Sequence, residues 1–212
     1  MQAPGTPPAL SLSQAVEKHD KRRTLAAGRT VPRACLARGR LRHVRRAGRI
    51  PRVSRLVEQL GLVAHDEGGW FRQGFKSPLR VDTPAGERHL MDTIYYLLTS
   101  ESALGCLHRN RSDITHFLHV GGPVTYLTVS PDGQLSEVVM GHDLDAGQVL
   151  RMTVPGGWWK TSFLADGVDE CLISEAVAPA FHYDDRELAT VQRIADEHPH
   201  LLERLRPYIR GA

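Results

Sequence analysis

The chain has 212 residues, 41% apolar and 24% charged, a composition that excludes collagen-like and wholly disordered proteins and fits one modest globular domain with an appendage. Its longest apolar runs, such as Ile94 to Leu98, fall far short of the roughly 20 residues that cross a bilayer as a helix, so no membrane partner is expected. The net charge of +3 conceals a division: residues 1–55 hold 14 Lys/Arg against Glu17 and Asp20 alone, whereas the remainder holds 13 against 22 acidic residues. An acidic body is a poor match for a phosphate backbone, which argues against nucleic acid as its partner.

Residues 1–53 are rich in Arg, Pro and Gly and lack helical or strand periodicity, which predicts a disordered N-terminal extension ahead of a domain at 54–210. Three readings of it compete: disordered sequence, including translated upstream DNA of a GC-rich genome; a basic arm for nucleic acid; and an Arg-rich targeting segment. There is no long apolar stretch of the secretory type, so the cytoplasm is the expected location. Cys35, Cys106 and Cys171 form no paired motif, and no disulfide framework is expected.

From Ser54 the pattern sharpens. Leu56, Val57 and Leu60 recur at helical spacing before Gly61 and predict a short amphipathic helix. Strands are predicted at 70–76, 91–99, 103–109, 114–120, 124–130, 135–140, 149–154, 158–165 and 170–177, separated by turns such as Pro131-Asp132-Gly133 and Pro155-Gly156-Gly157. Many short strands at this spacing mean a sandwich or barrel. Beyond Pro179, Leu188, Val191, Ile194 and then Leu201, Leu202 and Leu205 return to helical spacing, so an all-β core with short helices at both ends is expected.

Five stretches stand in a telling order: His65-Asp66-Glu67-Gly68-Gly69-Trp70, Ile94-Tyr95-Tyr96-Leu97-Leu98, Leu107-His108-Arg109-Asn110-Arg111-Ser112-Asp113, Val154-Pro155-Gly156-Gly157-Trp158-Trp159-Lys160 and Val177-Ala178-Pro179-Ala180-Phe181. Together they resemble the cupin-superfamily family DUF985, also called cupin_5. The resemblance implies a double-stranded β-helix, the cupin jelly roll, with an interior pocket for a small molecule and often a homodimer.

Cupins commonly bind a metal through two motifs. Aligned on Gly121, the first places His108 and Asn110 at the histidines and Ile114 at the glutamate; aligned on Pro155 and Gly157, the second places Lys160 at its histidine. Isoleucine has no lone pair and an ammonium repels a divalent cation, so no metal and no cofactor is expected.

Strand alternation outlines a pocket wall. With His108 inward, Asn110 is inward too; with Ile114 inward, His116 lines the pocket and His119 faces out; Trp158, Lys160 and Ser162 share a face. The expected catalytic set is His108, His116 and Lys160: imidazoles that move protons near neutral pH and an ammonium that holds an anion. The expected ligand-binding set is Asn110, Tyr96, Tyr126, Trp158 and Glu175. Alternation alone does not decide between Tyr95 and Tyr96, and Asp113 competes with Glu175 as supporting carboxylate. Each residue has a plainer reading beside this one: strand histidines are often structural, Arg72 and Arg109 pair with acids on neighbouring strands, and Glu67-Gly68-Gly69 is a tight turn. The expected function is a metal-independent isomerase, epimerase or lyase acting on a small polar metabolite; the alternatives are a non-catalytic binding or sensing cupin and a metal enzyme with unconventional ligands.

Overall fold

The computed structural model describes residues 54–212; the expected N-terminal extension, 1–53, lies outside the described residues. Helix α1 (Arg55–Leu60) starts at Ser54, whose Oγ accepts a hydrogen bond from the Leu56 amide, and stops at Gly61 in the left-handed region. Thirteen strands come next: β1 (Val63–Ala64), β2 (Trp70–Lys76), β3 (Arg80–Thr83), β4 (Gly86–His89), β5 (Asp92–Thr99), β6 (Leu104–Asn110), β7 (Asp113–Gly121), β8 (Val124–Val129), β9 (Leu135–Met140), β10 (Arg151–Val154), β11 (Trp159–Leu164), β12 (Glu170–Ala178) and β13 (Arg186–Leu188). The chain ends in helices α2 (Val191–Glu197) and α3 (Leu202–Leu205), flanked by 3₁₀ turns.

One sheet has the order β1-β2-β5-β12-β7-β10 and a second the order β13-β6-β11-β8-β9, with β3-β4 a separate hairpin. This is the expected jelly roll. Alternation along each strand sorts the side chains into three layers. Inward residues Tyr96, Leu98, Tyr126, Met140, Cys171 and Ile173, drawn from both sheets, pack together between them. Leu97 and Leu172, one position away, face outward under Val57 of α1. Leu107, Val129 and Trp159 face outward on the second sheet, where Ala189, Ile194, Leu205 and Ile209 cover them.

The nine predicted strands are present to within two residues at each end. The sequence does not predict β1, the β3–β4 hairpin or β13, because the first is two residues long and the others carry no hydrophobic period. Leu188, expected to begin a helix, instead pairs with His108 as the end of β13. The helix begins after Thr190, whose Oγ accepts from the Arg193 amide and so fixes the start of α2. Among the described residues no helix is long and apolar enough to cross a membrane.

The turn between β1 and β2 is pinned against β5 and β6. Gly68 has φ of +99° and its carbonyl accepts a hydrogen bond from Tyr96 Oη at 3.0 Å. A Cβ at Gly68 would overlap the Leu104 carbonyl oxygen, whereas Gly167, with φ of +89°, faces open space. Gly68→Ala should therefore lower stability by about 2 kcal/mol or more and Gly167→Ala by only about 1 kcal/mol, as read by urea unfolding; equal losses would show that the backbone conformation, not the packing against β6, sets the cost.

Candidate functional site

Tyr96 and Tyr126 belong both to the inner core and to the wall of a cavity of about 480 Å³, a volume usual for metabolite sites. Beyond them the inward positions carry polar groups. His108 on β6 stands directly opposite Lys160 on β11, and His116 on β7 stands opposite Glu175 on β12. Cross-strand partners share a face, so both pairs point between the sheets. All four side chains are buried, His116 completely.

Two coupled clusters result. In the first, Glu175 Oε1 lies 3.1 Å from His116 Nδ1 and Lys160 Nζ lies 3.4 Å from His116 Nε2. An ammonium only donates, so Nε2 accepts and the imidazole proton sits on Nδ1, facing the Glu175 carboxylate. Burial, reinforced by the Lys160 charge, lowers the His116 pKa to about 4. Burial alone would raise Glu175, but Lys160 and His116 outweigh it and hold this carboxyl well below the usual range. Tyr126 Oη stands 3.4 Å from His116 Nδ1. Burial raises both Tyr126 and Tyr96, aided by the charges of Glu175 and Glu67 respectively, so both phenols remain hydrogen-bond donors.

The second cluster centres on Glu67. Its Oε2 lies 3.2 Å from His108 Nε2, and Arg186 Nη1 lies 3.1 Å from its Oε1. His108 Nδ1 lies 2.8 Å from the Cys106 carbonyl, an acceptor, and therefore carries a proton. The remaining nitrogen, Nε2, faces the Glu67 carboxyl group. Burial lowers the His108 pKa against the pull of Glu67, with Lys160 adding to the lowering. A register shift between β6 and β11, with Ser162 opposite Gly105 and Lys160 opposite His108, turns the Cys106 carbonyl toward the ring. Gly105 has no Cβ where Tyr96 Oη and Ser162 Oγ would stand 2.7 Å and 2.9 Å away.

The expected residues are mostly brought together. His108, Asn110, Tyr96, Tyr126, Lys160 and Glu175 line the cavity, and His116 sits behind Lys160 and Glu175. Tyr96, not Tyr95, faces inward; Tyr95 and His119 meet ring to ring outside. Asp113 is no partner of either histidine and instead accepts from the Gly156 amide. Trp158 does not line the cavity, since it precedes β11 and comes directly after Gly157 with φ of +82°, so alternation does not extend to it. Trp159 is outward, its Nε1 donating to Glu197 with the Arg109 guanidinium 4.3 Å over its ring. Sequence reasoning places Glu67 only in a turn. The signal that could have found it is the Gly-Gly pair after it, which brings the turn close enough for the Cys106 amide to donate to the Glu67 carbonyl at 2.6 Å. Asp92, also unforeseen, lines the cavity with its pKa raised by burial.

The family model described as Cupin superfamily (DUF985) matches residues 54–189. The chain belongs to this family. It is 35% identical over 164 residues to the uncharacterized protein YML079W of Saccharomyces cerevisiae, covering 71% of this chain and 80% of that one. Among solved structures, a hypothetical protein from Leishmania major is 32% identical with a TM-score of 0.68, over 73% of this chain and 96% of that one. Protein SO0799 from Shewanella oneidensis is 28% identical with a TM-score of 0.66, over 74% and 96%.

Cupins are known for metal centres, and the donor set here does not suit one. Both ring nitrogens of His116 are engaged, His108 Nε2 is directed at Glu67, and the Lys160 ammonium stands among them. His65, Asp66 and Glu67 bring donor atoms within 4.8 Å of one another, yet Asp66 and Glu67 are both bound to Arg186.

The low His116 pKa has a consequence for stability. Between its ordinary value of 6.5 and about 4, the unfolded chain takes up a proton that the native His116 refuses, so stability falls as pH falls through this window. The full loss is about 3 kcal/mol, and Glu175 adds to it in the same direction at lower pH. Urea midpoints measured from pH 7.5 to pH 4.5 should drop, with a shallower dependence in His116→Gln; an unchanged slope in that variant would assign the effect elsewhere.

Proposed function

We propose that this DUF985 cupin is a small-molecule enzyme that moves protons without a metal, as an isomerase, epimerase or lyase on a small polar metabolite. The observation that carries the reading is the convergence of the Glu67–His108 contact and the buried Lys160 side chain on one cavity. As carboxylate plus imidazole the pair is a base that takes a proton from the substrate; with that proton on His108 it is the acid that returns it. Lys160 stabilises negative charge that develops on a neighbouring oxygen in the substrate. His116 and Glu175 hold that ammonium in place, and Tyr126 supplies a hydroxyl donor. A proton removed from carbon and returned to the other face, or to a conjugated position, balances with no oxidant.

A non-catalytic binding cupin is the second reading, favoured by the mutual engagement of His116, Glu175 and Lys160, which leaves no free imidazole on that side. The implied homodimer is part of the proposal; the outer face of the six-stranded sheet leaves Phe117 and Val120 exposed, which supports it.

The test incubates the protein in D2O with nucleotide sugars, 2-oxo acids and 2-hydroxy acids and looks for deuterium uptake or elimination by mass spectrometry. Exchange should occur with at least one class, falling about 100-fold or more in His108→Gln and in Lys160→Met. Ligands that raise the melting temperature without any exchange or product would replace the enzyme reading with the binding one.

A further inference from the structure

We infer that the cavity is built for a monocarboxylic acid that carries a hydroxyl or N–H beside its carboxylate on an apolar body. The inference rests on the reading of this cavity as a small-molecule site and names the class of molecule.

Two buried groups in the wall lack what they need. Asn110 is only 8% exposed, lines the cavity, and its Oδ1 makes no hydrogen bond. An unmet buried acceptor is costly, and a ligand donor recovers that cost. Lys160 Nζ has His116 Nε2 at 3.4 Å and Glu175 Oε1 at 3.5 Å, both at the long limit of a hydrogen bond. An ammonium has three donors, so at least one has no protein acceptor among the described residues and can serve the cavity that Lys160 lines. The complement of a cation beside a neutral acceptor is an anionic oxygen beside a donor.

Spacing and charge narrow the class. Lys160 pairs with His108, and Asn110 lies two residues further along β6 on the same face, so both groups stand in one part of the cavity wall. A carboxylate with a hydroxyl or N–H on the adjoining carbon offers each of them its complement. The cavity wall sets Lys160, Arg72 and Lys76 against Glu67, Glu175 and Asp92, so its cations are matched by carboxyl groups and little net positive charge is left for a dianion. A carboxylate therefore suits it better than a phosphate monoester. Phe71, Ile94, Ile114, Val177 and Phe181 also line the cavity and receive an apolar body.

Isothermal titration calorimetry on the full chain tests this with mandelate and phenyllactate, 3-phenylpropionate as the analogue without the hydroxyl, methyl phenyllactate as the ester, and phenyl phosphate. A hydroxy acid should bind about tenfold or more tightly than its deoxy, ester and phosphate counterparts. Lys160→Met should erase the preference for acid over ester, and Asn110→Leu the preference for the hydroxyl. Asn110→Asp, which keeps the acceptor but adds a charge, should weaken every acid, and melting curves confirm that each variant is folded. Equal binding of acid and ester, tighter binding of phenyl phosphate, retained hydroxyl preference in folded Asn110→Leu, or no hydroxy acid bound at millimolar concentration would each overturn the inference. Deuterium exchange with nucleotide sugars alone would sink this substrate class and spare the enzyme reading; hydroxy acids bound without exchange would do the reverse.

Discussion

The burial of Lys160 inside the barrel is the constraint on which the site depends. An isolated ammonium does not survive desolvation, so the surrounding strands must supply a carboxylate and an acceptor. Glu175 and His116 do so from β12 and β7, two neighbouring strands of the opposite sheet, across the interior from β11. The two sheets are thus joined at this level by charge and hydrogen bonds, while at the level of Leu98 and Met140 they are joined by aliphatic packing. The first kind of contact leaves room for a ligand; the second closes the barrel.

The Glu67–His108 pair depends on local backbone devices. Gly68 and Gly69 both have positive φ, and the turn they make is stitched to β6 through the Cys106 amide and to Ser102 through the Gly69 amide. The register shift in β6 aims the Cys106 carbonyl at His108, and Arg186 from β13 holds Glu67 from behind. Four separate stretches of chain therefore fix one contact between Glu67 and His108. The two clusters differ in electrostatic character: one keeps a neutral imidazole between full charges, and the other sets the Glu67 carboxyl group between an imidazole and a guanidinium.

The outer layers explain why so polar an interior is tolerated. Helix α1 and the C-terminal helices bury Leu97, Leu172, Leu107 and Trp159 on the outward faces of the same strands. Each strand is thus anchored by one face, and the other is free to carry chemistry. Arg109, next to His108, is spent on this outer anchorage, binding Glu187 and Glu197 and covering Trp159.

Nine of the strands, an all-β sandwich or barrel, and which of His108, Asn110, His116 and Lys160 share a face are legible in the sequence, because a period of two within a strand is a local property; that the barrel is a jelly roll and that these faces point inward came from the resemblance to the family. Trp158 is misplaced by that rule where the period stops, at a glycine with positive φ. The short strand β13 and the β3–β4 hairpin leave no period to read, being polar elements held by pairing with distant partners. Glu67 could not be assigned because its role arises from a turn folding onto a strand almost forty residues later, and the choice of Glu175 over Asp113 came from which strand lies beside β7. Faces are decided along the chain; partners are decided across it, where only the packed tertiary structure brings a carboxylate to an imidazole and an ammonium to both.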